Sequence, residues 1–195
     1  MCGIFGYVGK RVDAGRVVIR GIKNLEYRGY DSWGIARMID GSIAVEKNIG
    51  KIGAVNPESF SDVCSLAIAH TRWATHGGVT VANAHPHLSQ DGSIAVVHNG
   101  IIENFQALRS ELEKKGYVFQ SETDTEVICH LLQEEMKSAK SFADAARAAC
   151  RRFDGWYAFA AMNTGTHELV AARRGSPLIV GIGKGETFIA SDIPA

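Results

Sequence analysis

Residues 2–8 read CGIFGYV, a short apolar run that two glycines interrupt. Such a run is typical of a buried strand, and it puts Cys2 beside the core. Further along, the β-prone runs GIARMI and SIAVEK flank Asp40-Gly41. Two such runs around an Asp-Gly pair predict a two-residue hairpin, so we expect the chain to contain antiparallel sheet.

Strand patterns occupy both ends of the chain, and most of the segments with helical periodicity lie between them. A helix is predicted after Asp13, where an apolar stripe has helical spacing, and another over NFQALRSELEKKG, which ends at the C-terminal signal Gly116. A further helix is predicted from Thr123–Glu126, which fits a capping box, and one more starts near Ser141. The runs SLAIAHTRW and SIAVVHNG predict strands with polar ends, and residues 156–192 predict two hairpins. This order predicts one α+β domain over residues 1–195, with antiparallel sheets covered by helices.

The composition is that of an ordinary globular protein. Hydrophobic residues make up 46% and charged residues 22% of the 195, which excludes a disordered chain. Twenty-one basic residues balance twenty-one acidic ones, so we expect a small-molecule partner and no nucleic acid. The four cysteines lie far apart, which argues against a disulfide framework. The front segment MCGIFGYVGK resembles neither a signal peptide nor a spanning helix, so we expect a cytoplasmic protein without a membrane partner.

Cys2 would combine a nucleophile with its own base once Met1 is removed. The freed α-amino group has an ordinary pKa of about 7.7–8.0 and can accept the proton of a thiol whose ordinary pKa is about 8.5. No catalytic histidine is then required. Taken alone, a cysteine in a first strand is more simply explained as a small apolar core residue, so its surroundings must decide.

The segment His98-Asn99-Gly100 offers such surroundings. An Asn amide and a Gly backbone N–H can together form an oxyanion hole, and glycine lets the main chain approach a substrate. Asn-Gly is also the commonest hairpin turn. Here, however, the residues after Gly100 are predicted to run directly into a helix, where a hairpin would need a returning strand.

Two charged residues have the chemistry to hold an amino acid at both ends. Arg72 follows an apolar strand, and its planar fork suits a carboxylate. Asp124, at the start of a predicted helix, suits an α-ammonium group. Its simpler role is a favourable charge at a helix N-terminus, and the two roles are compatible.

Two further motifs suggest a metal site and a phosphate site, but each has a simpler explanation. In His85-Pro86-His87 the two imidazoles are expected to point the same way, as two metal ligands would. No third ligand lies at a recognisable spacing, so no metal is predicted. The run GIGKG resembles a phosphate loop, but Glu186 follows where Ser or Thr is needed, so a hairpin turn is predicted. We expect no cofactor.

Six motifs in order along nearly the whole chain carry a resemblance to a known family. They are Met1-Cys2-Gly3-Ile4, YRGYDS (27–32), HTRWATHG (70–77), NAHPH (83–87), VVHNGIIEN (96–104) and SETDTEV (121–127). Together they closely resemble the N-terminal glutaminase domain of the isomerising glutamine:fructose-6-phosphate aminotransferases, or glucosamine-6-phosphate synthases. These are class II glutamine amidotransferases. Sister amidotransferases share the initial cysteine but lack the RWATHG segment.

The resemblance implies a fold and a reaction. The fold is the N-terminal-nucleophile hydrolase sandwich, with four layers in the order α-β-β-α. Cys2 matches the nucleophile, and Asn99 and Gly100 match the oxyanion hole. The implied reaction forms a glutamyl thioester, releases ammonia and hydrolyses to L-glutamate.

The resemblance also implies how L-glutamine is bound. Arg72 matches the residue that holds its carboxylate, and Asp124 the residue that receives its α-ammonium group. Trp73, Thr75 and His76 match a loop that closes over glutamine, with Trp73 at the position that gates ammonia passage. Such a loop excludes water.

Two features depart from the family pattern. Trp33 stands where a small residue is usual, so packing near the nucleophile is expected to differ. The chain stops at Ala195, whereas the family continues through further glutaminase strands into sugar-isomerase domains, so we expect an incomplete sandwich without a site for fructose 6-phosphate. The longer enzyme is expected to be a homo-oligomer. Within it, the sugar-isomerase domain is expected to be the partner of the glutaminase domain.

Three other functions stay open on the residues alone. The chain is alternatively a module that binds glutamine without turnover, the glutaminase domain of another class II amidotransferase, or a metal hydrolase that uses His85 and His87.

Overall fold

The residues that the computed structural model describes, 2–74 and 77–195, contain ten strands and four α-helices. The strands are β1 (Gly3–Gly9), β2 (Ser32–Ile39), β3 (Ser42–Ile49), β4 (Leu66–Arg72), β5 (His87–Leu88), β6 (Ile94–Ile102), β7 (Gly155–Asn163), β8 (Glu168–Arg174), β9 (Ile179–Gly183) and β10 (Glu186–Ala190). The helices are α1 (Ala14–Lys23), α2 (Phe105–Lys114), α3 (Thr125–Met136) and α4 (Phe142–Cys150), with short 3₁₀ helices at Glu26–Arg28 and Pro57–Ser59.

The strands form two antiparallel sheets. The first sheet has six strands in the order β3-β2-β4-β1-β10-β9, and the second has four in the order β5-β6-β7-β8. Helix α1 packs on β1, β2 and β4, whereas α3 packs on β5 and β6 and α4 on β8. Strands β1 and β4 contact the second sheet directly. The layers therefore run helix, sheet, sheet, helix, and the predicted α+β arrangement is confirmed.

Successive side chains of a strand point to opposite faces of its sheet, so each one packs either toward the helices or toward the other sheet. In β1, Phe5 and Tyr7 pack in the cluster beside α1, while Ile4 belongs to the cluster between the sheets. Because successive strand residues point to opposite faces, Cys2 shares the inter-sheet side with Ile4. Trp33 packs beside α1, edge-on to Phe60 with ring centroids 6.5 Å apart, so it lies on the face away from Cys2.

Local signals gave most of the hairpins correctly. Asp40 and Gly41 have φ angles of 48° and 75° and join β2 to β3, as the Asp-Gly pair predicts. Gly185, with φ 77°, turns β9 into β10, so GIGKG is part of a hairpin. The helix after Ser141 is also confirmed, since the Ser141 side chain accepts a hydrogen bond from the Asp144 N–H.

Two expectations about element ends are wrong. Strand β6 continues through Asn99 and Gly100 to Ile102, so these residues lie within a strand and not at its end. The capping box is absent, because the Glu126 carboxylate accepts from the backbone N–H groups of Gln120 and Ser121 at 2.7 Å each. The Glu126 carboxylate is therefore not available for the hydrogen bond to the N-cap N–H that defines a capping box. None of the helices in the described residues has the length and apolarity of a membrane-crossing segment.

Candidate active site

Strand alternation brings three of the predicted residues to one place between the sheets. Gly3 lies opposite Thr71 in the β1–β4 pair, so Cys2 comes next to Arg72. Asn99 has the same parity in β6 as Ala95 and Val97, which face the first sheet. A cavity of about 270 Å³ lies here, and its lining includes Cys2, Arg72, Trp73, Asn99, Gly100 and Asp124. Six of the eight predicted site residues therefore meet at one cavity.

The Cys2 thiol is held by a backbone N–H just past the end of the neighbouring strand β4. Its Sγ accepts a hydrogen bond from the Trp73 N–H at 3.1 Å. Burial raises the pKa of the thiol, while that N–H and the charges of Arg72 and Arg28 oppose the rise. The net effect is a raised pKa, so the resting group is the thiol, and the N–H donor and the two guanidinium groups stabilise a thiolate once a base has removed the proton.

The Cys2 carbonyl is held as firmly as its thiol. It accepts from Asn99 Nδ2 at 2.9 Å and from Arg28 Nε at 3.1 Å. Arg28 Nη1 in turn pairs with Asp192 Oδ2 at 2.7 Å, and the Tyr27 hydroxyl donates to the same oxygen at 2.6 Å. Sequence reasoning missed Arg28 and Asp192. The motif YRGYDS contained Arg28, but only the fold brings Asp192, from the other end of the chain, beside it.

Gly100 lets strand β7 come close to the cavity. Its φ is 112°, a conformation that L-residues with a side chain rarely adopt. A Cβ there would fall on the Trp156 carbonyl oxygen and within 2.8 Å of the Tyr157 Cα. The glycine is thus required by the β6–β7 pairing as well as by any approach of a ligand.

Arg72 and Asp124 supply opposite charges to the same cavity. Arg72 is buried, and Nη1 donates to the Gly78 carbonyl at 3.1 Å. Burial lowers the pKa of its guanidinium group, opposed by the negative charges of Cys2, Asp31 and Asp124. Asp124 Oδ2 accepts from the Ile102 N–H at 2.8 Å. Two fixed charges in one cavity suit a zwitterion.

The segment after β4 begins in contact with Cys2. Trp73 packs on Tyr30 with ring centroids 5.4 Å apart, and the Ala74 N–H donates to Asp31 Oδ2 at 2.9 Å. The motif YRGYDS thereby anchors the start of the predicted loop. Thr75 and His76, the other predicted loop residues, lie outside the described part of the chain.

Four buried histidines cluster behind the cavity, and two of them, His85 and His98, line it. His85 packs against His70 with centroids 4.2 Å apart and against His87 at 5.0 Å, and it stacks on His98 at 6.5 Å. Burial lowers the pKa of all four imidazoles, to about 3 for His70 and His87. They are neutral at pH 7.

The HPH pair is held by hydroxyl groups. His85 Nε2 lies 3.1 Å from Thr125 Oγ1, and His87 Nε2 lies 3.0 Å from Thr123 Oγ1. Within residues 2–74 and 77–195, no three His, Cys, Asp or Glu side chains are arranged to hold a metal ion.

The family model described as "Glutamine amidotransferase domain" matches residues 70–195. The chain belongs to this family. It is 51% identical to glutamine–fructose-6-phosphate aminotransferase (isomerizing) of Streptomyces coelicolor and 52% identical to that of Pyrococcus horikoshii. Both matches cover 100% of this chain but only 32% and 33% of the relatives, so the chain spans about a third of their length.

Solved structures agree with the membership. The glutamine phosphoribosylpyrophosphate amidotransferase of B. subtilis, complexed with ADP and GMP, matches with a TM-score of 0.81 and 31% identity over 97% of this chain and 42% of that one. The allosteric regulatory enzyme of purine biosynthesis matches with a TM-score of 0.82 and 32% identity, with the same coverage. This amidotransferase domain has the fold of the N-terminal-nucleophile hydrolases, as the resemblance implies.

Proposed function

We propose that this amidotransferase domain, taken as one unit over residues 1–195, hydrolyses L-glutamine to L-glutamate and ammonia with Cys2 as the nucleophile. The supporting observation is that Cys2, Arg72, Asn99 and Asp124 line one cavity. An amino acid with a side-chain amide needs a nucleophile at one end and two opposite charges at the other. The cavity offers both.

The first half of the reaction makes a thioester. With Met1 removed, the α-amino group of Cys2 takes the thiol proton, and the thiolate attacks the side-chain amide carbon of glutamine. The Asn99 amide and the Gly100 N–H stabilise the oxyanion. An amide NH₂ carries two hydrogens, so Asn99 can keep its bond to the Cys2 carbonyl while the second hydrogen faces the substrate. The C–N bond breaks, and the amine returns the proton to the leaving nitrogen as ammonia.

The second half releases the acid. Water loses a proton to the same α-amine and attacks the thioester carbonyl, and the departing sulfur regains a proton from the amine. Arg72 holds the α-carboxylate and Asp124 the α-ammonium group throughout. By the family resemblance, Trp73, Thr75 and His76 have the role of excluding bulk water from the bound substrate.

The longer proteins that this chain resembles act on fructose 6-phosphate by name. The ammonia released at Cys2 is accordingly passed, in the same larger protein, to a sugar-isomerase domain that binds fructose 6-phosphate, which is the ammonia-supplying step of hexosamine synthesis. That larger protein is a cytoplasmic homo-oligomer.

The test combines intact mass with glutamate release by the purified chain. We expect a mass without Met1, release of one glutamate per ammonia, and no release above background by Cys2→Ala. Cys150→Ala is the matched control, because Cys150 is a half-buried thiol away from the cavity, and it should keep its rate.

Two outcomes would contradict the proposal. Unchanged release by Cys2→Ala would remove Cys2 from the reaction. Glutamine binding by calorimetry, in a Met1-free chain that releases no glutamate, would instead establish a binding module without turnover.

A further inference from the structure

His70 touches the amide that faces the nucleophile. Its Nε2 lies 3.0 Å from Asn99 Oδ1 and 3.0 Å from the His98 carbonyl oxygen. Both of these atoms are acceptors, so Nε2 must carry the hydrogen and Nδ1 must carry the lone pair. The imidazole is neutral because its pKa is about 3, and Nδ1 is buried without a hydrogen-bond partner among the described residues.

The hydrogen on Nε2 decides which end of the Asn99 amide points at Cys2. In the observed orientation, Oδ1 accepts from His70 and Nδ2 donates to the Cys2 carbonyl at 2.9 Å. If the amide were turned by 180°, its NH₂ would meet the His70 N–H and its oxygen would meet the Cys2 carbonyl. Each of those contacts joins two like groups, so both would be repulsive.

We propose that His70 is a positioning residue for the oxyanion hole, because its Nε2–H holds the oxygen of Asn99 and thereby turns the NH₂ toward Cys2 and the substrate. This inference rests on the proposed glutaminase reaction. His70 does not touch the substrate in it.

The position of His70 in β4 explains why it can do this. His70 and Arg72 are two residues apart in the strand, so both side chains point into the space between the sheets. One strand therefore supplies the cation for the substrate carboxylate and the donor that orients the oxyanion hole. The ring of His85 packs against the His70 ring and limits its rotation.

The test compares replacements at His70 by kcat and KM for glutamine. His70→Leu removes the donor, and His70→Gln presents an amide N–H from nearly the position of the imidazole Nε2. We expect His70→Leu to lower kcat at least about tenfold with KM changed less than about threefold. Complete loss of an oxyanion donor, a fall of about 10²–10³-fold, sets the upper limit. His70→Gln should recover most of the loss.

His87→Leu is the matched control. His87 belongs to the same buried cluster and its pKa is also about 3, but its hydrogen bond goes to Thr123 and not to Asn99. We expect a comparable loss of thermal stability with kcat within about threefold of wild type. If His70→Leu does not fold, His70→Asn replaces it, since Asn is too short to reach Asn99 and should be much slower than His70→Gln.

The outcomes separate this inference from the proposed function. A wild-type chain without glutaminase activity overturns the proposed function and this inference with it. An active wild type whose His70→Leu and His70→Gln variants share one kcat overturns the inference alone. A loss that appears in KM only, or equally in His87→Leu, also overturns it.

Discussion

Arg72 is a cation that the fold has withdrawn from water. Its side chain is 4% exposed, and burial lowers the pKa of the guanidinium group while nearby negative charges oppose that change. A buried guanidinium keeps its charge and offers two parallel N–H groups, which a lysine cannot do. In the proposed function, binding of the glutamine carboxylate therefore depends on the shape of this group as well as on its charge.

We expect Arg72→Lys to raise KM for glutamine about 10–100-fold while kcat changes by a few-fold. Hydrogen bonds to charged groups contribute about 1.5–3 kcal/mol, and the α-carboxylate is remote from the reacting amide, so ground state and transition state lose similar amounts. Steady-state glutaminase kinetics measures both constants. Arg109→Lys, on the partly exposed face of α2, should leave both unchanged. A kcat loss larger than the KM change would mean that Arg72 acts in the chemical step.

The site residues that could be predicted from the sequence are those whose role follows from their own side chain and from their neighbours in the chain. Cys2, Arg72 and Asn99 were found because each lies next to a recognisable apolar run and has a side chain that suits an amide substrate. Asp192 and His70 could not be found in this way. Their contacts with Arg28 and Asn99 join residues 164 and 29 positions apart, and no spacing in the sequence encodes such contacts.

At the scale of the elements, the two residues proposed to form the oxyanion hole lie inside strand β6 and not in a turn. Asn99 pairs with Ala158 and Gly100 with Tyr157, so the β6–β7 ladder fixes their positions. Hairpins and amphipathic helices were predictable, because their signals lie within a few residues. The extension of β6 was not, because the β7 strand that stabilises it begins more than fifty residues later.

Gly100→Ala tests how strictly this ladder requires glycine. We expect a loss of about 2–4 kcal/mol in the free energy of unfolding, from a strained φ and a Cβ that meets the backbone of Trp156. Urea denaturation measures it, and glutaminase activity should fall with it.

Gly92→Ala is the control for that substitution. Gly92 also has a positive φ, 71°, but a Cβ there would meet nothing within 4 Å. We expect a loss of about 1 kcal/mol with activity retained. Equal losses in the two variants would mean that the φ angle alone, and not the close approach of β7, explains the glycine at position 100.

At the scale of the whole molecule, four neutral histidines form one buried cluster that reaches from β4 of the first sheet to the α3 side of the second. His70 comes from β4 in the first sheet, His87 from β5 and His98 from β6 in the second, and His85 packs against all three. Burial lowers the pKa of each imidazole, and for His98 the charge of Asp124 opposes the change. The fold therefore depends on keeping these four groups unprotonated.

This histidine cluster predicts a stability that falls on acidification above the range where carboxylates titrate. In the unfolded chain a histidine has a pKa of about 6.5, whereas His70 and His87 in the folded protein have a pKa of about 3. Between these values the unfolded state binds more protons, so the free energy of unfolding decreases as pH falls. Stability is complete above about pH 6.5 and is lost progressively toward about pH 3.

Urea denaturation between pH 7.5 and 5 measures the effect. Each buried histidine contributes a slope of at most about 1.4 kcal/mol per pH unit, so His70 and His87, whose pKa is about 3, together give about 3 kcal/mol per pH unit near pH 5, and His85 and His98 add to it in the same direction. His87→Gln should reduce that slope by about one histidine's share. Thr123→Val removes the hydrogen bond to His87 but no titrating group, so it should lower stability at every pH and leave the slope unchanged. A wild-type stability that stays constant from pH 7.5 to 5 would mean that these imidazoles accept protons in the folded state and that the buried cluster tolerates charge.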